Sequence, residues 1–134
     1  EGARGSGKTW DHRYQLVPFG RGFLSLALQT GTPILQVAVI GAEESIISVA
    51  DLNGLARALG MPYFPVPALL PLLGPLAYLP LPTQFHVHMG ELMHFDGPFD
   101  DEDEVIDAKV DTVMTRIQAM LDDGLARREP VFGL

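Results

Sequence analysis

An α/β fold is predicted for this chain by three patterns in its 134 residues. Apolar residues recur at helical spacing over residues 19–28, and a β-branched run follows at 33–40. Apolar and polar residues alternate with period two over 85–89, as in a half-buried strand. A second helical stripe runs through 106–121. A mixed central sheet with flanking helices is the expected architecture.

The first helix and strand have clear boundaries. Gly31 and Pro33 stop the helix, because glycine adopts the left-handed cap conformation and proline cannot continue a helix. The strand that follows is apolar throughout and ends at Gly41, which is typical of a strand buried on both faces of a sheet.

The later elements are bounded in the same way. Asp51 is expected to cap a helix over 52–59, which Gly60 closes. Seven prolines in 61–82 exclude a helix long enough to span a bilayer. The acidic run 100–104 suits the N-terminus of the final helix, and Gly124 ends that helix or opens its last turn.

Composition removes several functional classes. A formal net charge of −8 argues against nucleic acid as a partner, because such binding needs a basic face. The absence of cysteine excludes disulfides, Cys-ligated zinc and thiol nucleophiles. Residues 1–21 carry four basic and two acidic side chains, so an anionic ligand would favour this end of the chain.

Residues 2–9 satisfy the phosphate-loop pattern G-x-x-x-x-G-K-[ST]. That pattern requires a preceding strand and a helix that begins at Lys8-Thr9. Residues 10–18 lack helical periodicity. A nucleotide-binding protein is therefore an alternative interpretation of the opening residues.

The same opening residues support a second interpretation. Glu1-Gly2-Ala3-Arg4-Gly5 resembles the E-G-x-R core of the third sequence block of glycerol and lysophospholipid acyltransferases. The similarity continues through Gly20–Ala27, Gly31–Ile34, Val37–Glu44 and Leu59–Pro65, which are similar to the following helix and fourth block of a bacterial branch of that family. It implies that 1–134 is a single, partial acyltransferase domain, the C-terminal portion of a glycerol-phosphate acyltransferase-like fold whose N-terminal part precedes Glu1.

The resemblance implies transfer of a fatty acyl group from an acyl thioester, either acyl-CoA or acyl carrier protein, to the hydroxyl of glycerol phosphate or a lysophospholipid in phospholipid synthesis. The site residues carried over for the acceptor phosphate are Glu1, Gly2, Arg4, Gly5 and, more weakly, Lys8. The thioester is a co-substrate, and neither a further cofactor nor a metal is expected. The protein would work at the cytoplasmic side of a membrane, in contact with its surface.

Two departures from the family pattern affect this interpretation. The fourth block usually has proline where this chain has Gln36. The H-x-x-x-x-D block that supplies the catalytic base is absent from residues 1–134, so no catalytic residue is assigned and the chain alone is expected to be inactive. His86 and Glu91 have the right separation, but the pair ends in Glu and lies on a strand, so the role is not transferred to it.

Two further features have competing interpretations. His86 and His88 share one side of a strand and could chelate zinc, but no carboxylate or cysteine completes a set, so ordinary polar positions are favoured. The proline-rich stretch has five leucines that either cover the core or rest on a bilayer: Leu69, Leu70, Leu72, Leu73 and Leu76. A noncatalytic lipid-binding module is therefore a third possible function.

Overall fold

Helices and strands alternate along the chain, as predicted for an α/β protein. The computed structural model describes residues 8–61 and 64–128. In chain order the regular elements are α1 (Gly22–Thr30), β1 (Ile34–Ile40), α2 (Ala42–Ser45), β2 (Ser48–Asp51), α3 (Asn53–Ala58), β3 (Pro65–Pro67), α4 (Leu70–Leu73), β4 (His86–Met93) and α5 (Asp103–Arg127). Two 3₁₀ turns lie at Trp10–His12 and Gly74–Tyr78. None of the described helices is both long enough and apolar enough to cross a membrane.

The chain divides into two compact units by its internal contacts. The first unit draws its described residues from Glu1–Val17, Ile40–His86 and Arg128–Leu134. The second unit consists of Pro18–Val39 and Val87–Arg127. Each unit is therefore assembled from segments that are distant in sequence. The expectation of one domain over 1–134 stays a prediction.

The core of the second unit forms where α1 packs on α5. Leu24, Ile106 and Val110 are buried at its centre. Around them pack the partly buried side chains of Phe19, Phe23, Leu28, Ile34, Phe95 and Met114. The helical stripes read from the sequence are the faces that meet here, so the hydrophobic effect accounts for both helices.

An ion-pair fork joins the N-terminal ends of α1 and α5. The guanidinium of Arg21 places Nε at 2.6 Å and Nη2 at 2.7 Å from the two carboxylate oxygens of Asp107. Its Nη1 lies 2.7 Å from Asp103. The acidic start of α5 is thereby confirmed as a helix N-terminus, and it also fixes α1 through Arg21. The helix continues past Gly124 to Arg127, so that glycine opens the last turn.

Strands β1 and β4 pair in a two-stranded sheet. A Cβ added at Gly90 of β4 would lie 2.7 Å from Gln36 Oε1 and 3.1 Å from Met120 Sδ, so Gln36 and Gly90 lie on the side of the sheet that α5 covers. Gln36 is buried; its Nε2 donates to Ile34 O at 3.1 Å, and its Oε1 has no hydrogen-bond partner within the described residues. A side chain at position 90 would collide with this amide, so the glycine on the facing strand leaves room for the buried Gln36.

The opposite side of this sheet is apolar and exposed. Leu35, Val37 and Val39 of β1 alternate with buried neighbours, and Val87 and Met89 of β4 are exposed as well. The sequence predicts burial of β1 on both faces, but within residues 8–61 and 64–128 only one face is buried. On β4 the histidines lie on the more covered side, whereas the apolar side faces outward. We call the five exposed side chains the open sheet face.

Strands β2 and β3 form a second, antiparallel pair in the first unit. Pro65 and Pro67 limit β3 to three residues, since proline has no N–H for the ladder. The capping role predicted for Asp51 is wrong: it ends β2, and its carboxylate accepts a hydrogen bond from Phe64 N–H at 2.8 Å. Helix α3 begins two residues later without a side-chain cap, and Gly60 has a positive φ just after its end, as predicted.

Candidate functional site

The end of β1 leads into a tight elbow at Gly41. This glycine has a φ of 99°, and a Cβ at its position would lie 2.0 Å from Gln84 O. Gly41 O also accepts a hydrogen bond from Thr83 Oγ1 at 3.1 Å. Only glycine permits this close backbone approach. The elbow directs the chain into α2, which presents Glu43 and Glu44.

Tyr14 is held against this elbow. Its ring is buried, and its phenol oxygen accepts a hydrogen bond from Gly41 N–H at 2.7 Å. Its own backbone N–H donates to the carboxylate of Glu43. Tyr14 has a φ of 60°, a left-handed conformation that costs a non-glycine residue of the order of 1–3 kcal/mol unless its surroundings impose it. Burial raises the pKa of Tyr14, with an addition from the charge of Glu44, so the phenol stays neutral at physiological pH.

Glu44 is the most deeply buried carboxylate in the described residues, at 1% exposure. Arg128 Nη1 lies 2.6 Å and 2.8 Å from its two oxygens, and the same nitrogen lies 3.5 Å from Tyr14 Oη. The guanidinium also stands 5.6 Å from the centre of the Tyr14 ring. The charge of Glu44 is thereby compensated by a residue 84 positions further along the chain.

Lys8 reaches the other carboxylate of α2. Its Nζ lies 3.0 Å from Glu43 Oε1, and its side chain is only 8% exposed. Glu43 therefore contacts both Lys8 and the backbone of Tyr14, and it holds the segment between them against the elbow. We call Lys8, Tyr14, Gly41, Glu43, Glu44 and Arg128 the elbow cluster.

The contacts of the elbow cluster are suited to positioning the backbone. Each of its two carboxylates is held in an ion pair by a cation. Its two cations are likewise occupied. What the cluster does is fix the backbone that directly follows Gly7.

Of the residues predicted to bind the acceptor, only Lys8 is among those that the structure describes. Glu1, Gly2, Arg4 and Gly5 lie outside the residues that the structure describes, so their roles stay predictions. Lys8 is described and lies in the elbow cluster. Its pairing with Glu43 gives it a structural role in addition to the predicted one.

The other basic side chains of the opening stretch have partners of their own. Arg13 stacks on the ring of Trp10 at 4.2 Å and donates to Trp10 O at 2.9 Å. Arg21 belongs to the fork with α5. An anion at Arg21 would have to compete with the carboxylates of α5, whereas Arg13 is exposed and its contacts with Trp10 use only one of the five N–H donors of an arginine.

The two motif alternatives are not favoured by the local structure. A phosphate loop requires an α-helix from Lys8-Thr9, whereas residues 8–21 contain only the 3₁₀ turn at Trp10–His12. In the described part of the chain, no group of three or more His, Asp or Glu side chains is arranged to hold a metal ion. His86 and His88 are half-buried positions on β4.

Several members of the elbow cluster were not singled out from the sequence. Two adjacent glutamates separated from Gly41 by one residue, close to the end of a strand, are a detectable signal for Glu43 and Glu44. Tyr14 and Arg128 carry no such signal, because their importance depends on contacts between distant segments. Only the folded chain brings them together.

The fold and the elbow cluster define an α/β protein with a buried, ion-paired turn after its first strand. The chain is 40% identical to uncharacterized proteins of Mycobacterium tuberculosis and Mycobacterium bovis, and 38% identical to one of Mycobacterium leprae. These matches cover 98% of this chain but only 37–38% of the relatives, so the chain spans well under half of their length. No family model matches the chain, and no solved structure matches it.

Proposed function

We propose that a longer protein containing this chain transfers a fatty acyl group from an acyl thioester to the hydroxyl of glycerol phosphate or a lysophospholipid. One observation carries the proposal. The segment that continues the E-G-x-R block is tied to the residues that end the fourth block, through Lys8 with Glu43 and Tyr14 with Gly41. The residues that follow the first of these blocks are thus in contact with the end of the second, about 30 positions further along the chain.

The acceptor phosphate would be bound by the opening loop. The planar guanidinium of Arg4 is suited to bidentate contact with a phosphate, and Gly2 and Gly5 allow the backbone to approach it closely. Glu1 belongs to the same block. Glu43 would act from behind this loop, since it holds Lys8 and so fixes where the loop ends. The elbow cluster therefore serves as support for the phosphate site.

The chemical step would be completed by residues outside this chain. A histidine of an H-x-x-x-x-D block takes the proton of the acceptor hydroxyl, whose oxygen attacks the thioester carbonyl carbon. The new C–O bond forms as the C–S bond breaks, and the proton passes to the departing thiolate. The aspartate of that block orients the histidine.

The open sheet face supports the finer part of this proposal. Apolar side chains on a two-stranded sheet are normally covered, and such a sheet is marginal by itself. The relatives are long enough to supply further elements, since the chain matches only 38% of their length. We expect these elements to extend the small β1–β4 sheet into the larger acyltransferase-like one.

Acyl transfer by the protein from its complete coding region is the direct test. Labelled long-chain acyl-CoA and acyl carrier protein would be offered with glycerol 3-phosphate and with lysophospholipids. Arg4→Ala is expected to raise the Michaelis constant for the acceptor about 10- to 100-fold, because a charge-assisted hydrogen bond to the phosphate is lost. The constant for the thioester should not change.

Arg57→Ala is the matched control, since Arg57 is an exposed arginine of the first unit outside the elbow cluster. It should leave both constants unchanged. Unaltered acceptor kinetics in Arg4→Ala would overturn the assigned role of Arg4. Magnesium-dependent nucleotide binding that is lost in Lys8→Ala, with no acyl transfer by the parent protein, would replace the proposal with the phosphate-loop alternative.

A further inference from the structure

Five leucines of the first unit form an exposed ridge. They follow one another at intervals of one or three residues, from the residue before α4 to the residue after the 3₁₀ turn, and they are Leu69, Leu72, Leu73, Leu76 and Leu79. Leu72 is 80% exposed and Leu76 is 62% exposed. We call them the leucine ridge. Side chains of this kind are normally buried, and exposed apolar clusters mark surfaces that contact something else.

The ridge lies in a long stretch without ionised side chains. Residues 58–90 contain no Asp, Glu, Lys or Arg. Dehydration of charged groups is the largest cost of moving a surface into an apolar medium. This stretch does not incur that cost, because it has no charged side chain to dehydrate. Leucine and proline are its commonest residues, and their burial in an apolar medium requires no polar partner.

The ridge is fastened at its base. Tyr78 Oη donates to Pro65 O at 3.0 Å, Ala68 N–H donates to Ile47 O at 2.8 Å, and Leu81 N–H donates to Ser45 O at 2.6 Å. Ala77 is the buried residue on the inner side of the turn. The leucines are thus presented by an ordered scaffold, so contact costs little additional conformational entropy.

An apolar cleft of about 260 Å³ adjoins the ridge. Leu69, Leu73, Leu76 and Leu79 line it together with Ile46 and Ile47. Four of the five ridge leucines therefore also line this cleft.

Charge is segregated between the two units in a way that suits an anionic surface. The described residues of the first unit carry four basic and four acidic side chains, whereas the second unit carries four basic and eleven acidic ones. The unit that bears the ridge is neutral over its described residues, although the whole chain has a net charge of −8. Repulsion by anionic lipid headgroups therefore does not oppose an approach through this unit.

We infer that the leucine ridge is the surface by which this protein rests on a lipid bilayer. The inference deepens the proposed function and rests on it, because an enzyme that acylates a lysolipid meets its acceptor in a membrane. The leucines enter the boundary between headgroups and acyl chains, and no helix needs to span the bilayer.

The test uses the protein from its complete coding region and unilamellar phosphatidylcholine vesicles, with and without phosphatidylglycerol as a minor component. Flotation measures binding of the parent protein and of the double variant Leu72→Ser/Leu76→Ser. We expect the double variant to lose at least about tenfold in vesicle affinity on both vesicle types, because two leucines no longer leave water. Leu26→Ser, at 60% exposure on α1, is the matched control and should bind like the parent.

Several outcomes would overturn the inference. Equal vesicle binding by the parent and the double variant would exclude the ridge as the docking surface. A changed oligomeric state in the double variant, measured by sedimentation, with unchanged vesicle binding would assign the ridge to a second copy of the chain. A fall in melting temperature, again with unchanged vesicle binding, would assign it to the interior of the longer protein.

The docking inference and the acyltransferase proposal fail separately. Ridge-dependent vesicle binding without acyl transfer would support docking and the noncatalytic lipid module while rejecting the enzyme. Acyl transfer to dispersed glycerol 3-phosphate, with vesicle binding unaffected by the serines, would support the enzyme while rejecting the ridge. If both hold, the double variant loses activity on vesicle-embedded lysolipid and keeps it on the dispersed acceptor.

Discussion

At the scale of single residues, the elbow cluster is most sensitive to substitution at the ion pair of Glu44 and Arg128. Its carboxylate is almost completely buried, whereas the side chain of Arg128 is 22% exposed. Such a pair contributes little net stability compared with an apolar replacement. Removal of one partner is strongly destabilising, because it leaves the other as an uncompensated buried charge. The hydrogen bond from Gly41 to Tyr14 lies directly beside it.

Arg128→Met is therefore expected to destabilise the intact protein by about 3–5 kcal/mol, because Glu44 keeps its buried charge without a partner. The double variant Glu44→Gln/Arg128→Met should recover part of that loss, since no buried charge remains. Denaturant unfolding of the single and double variants would measure the coupling. Additive effects of the two substitutions would contradict a tightly coupled pair.

At the scale of elements, the passage from β1 to α2 depends on the backbone of Gly41. The positive φ by itself would disfavour a side chain, and the contact with Gln84 O excludes a Cβ sterically. Gly31, which closes α1 with a φ of 63°, shares the first feature, but a Cβ added there would meet no heavy atom within 4 Å. A substitution at Gly31 would therefore introduce conformational strain alone, whereas one at Gly41 would introduce both strain and a steric clash.

Gly31→Ala should lower the free energy of unfolding by about 1–2 kcal/mol, the usual cost of the left-handed conformation. Gly41→Ala should cost about 3–5 kcal/mol, because the backbone at Gln84 must also move. Thermal and chemical denaturation of the two variants would give the comparison. Equal costs would mean that the approach of Gly41 to Gln84 is looser than described.

At the scale of the whole molecule, the open sheet face is more exposed than the apolar sequence of β1 predicts. The sequence of β1 is that of a strand covered on both sides, yet Leu35, Val37 and Val39 are exposed. The length of the relatives resolves the disagreement if further elements of the complete protein cover this face. That expectation is separate from any catalytic role.

Val37→Lys is expected to destabilise the complete protein by more than about 3 kcal/mol, because the new charge would lie beneath the covering elements. Val105→Lys is the control: Val105 is a valine of similar exposure at the start of α5, and the change there should stay within about 0.5 kcal/mol. The melting temperatures of both variants provide the measurement. A Val37→Lys protein as stable as the control would show that the face is solvated.

The strongly periodic parts of the fold were predictable from the sequence. The elements α1, β1, β4 and α5 lie where their spacing predicts them, and the core between α1 and α5 confirms the two helical stripes. The cap predicted at Asp51 is wrong because its carboxylate accepts a hydrogen bond from Phe64 N–H, on the far side of α3 in the sequence, and this tertiary contact overrides its preference for a helix cap. The pairing of β2 with β3 was missed because prolines make β3 short and atypical.

The candidate site was predictable only in part. The motif singles out the opening residues and Lys8, whose binding roles stay predictions; the pairing of Lys8 with Glu43 is not predictable from the motif. Glu43 and Glu44 carry a local signal in the sequence, but it does not identify the side chains they pair with, because these contacts join distant segments. Contacts between residues 14, 44 and 128 have no local periodicity from which they could be derived.

The bond between Glu44 and Arg128 also sets an order of events during synthesis. Glu44 leaves the ribosome 84 residues before its partner, an interval of about 4–17 s at ordinary translation rates. Throughout that interval the first unit lacks the cation that allows this carboxylate to leave water. The ion pair of the first unit therefore cannot form, and its packing cannot be completed, until the entire sequence of the second unit has been translated.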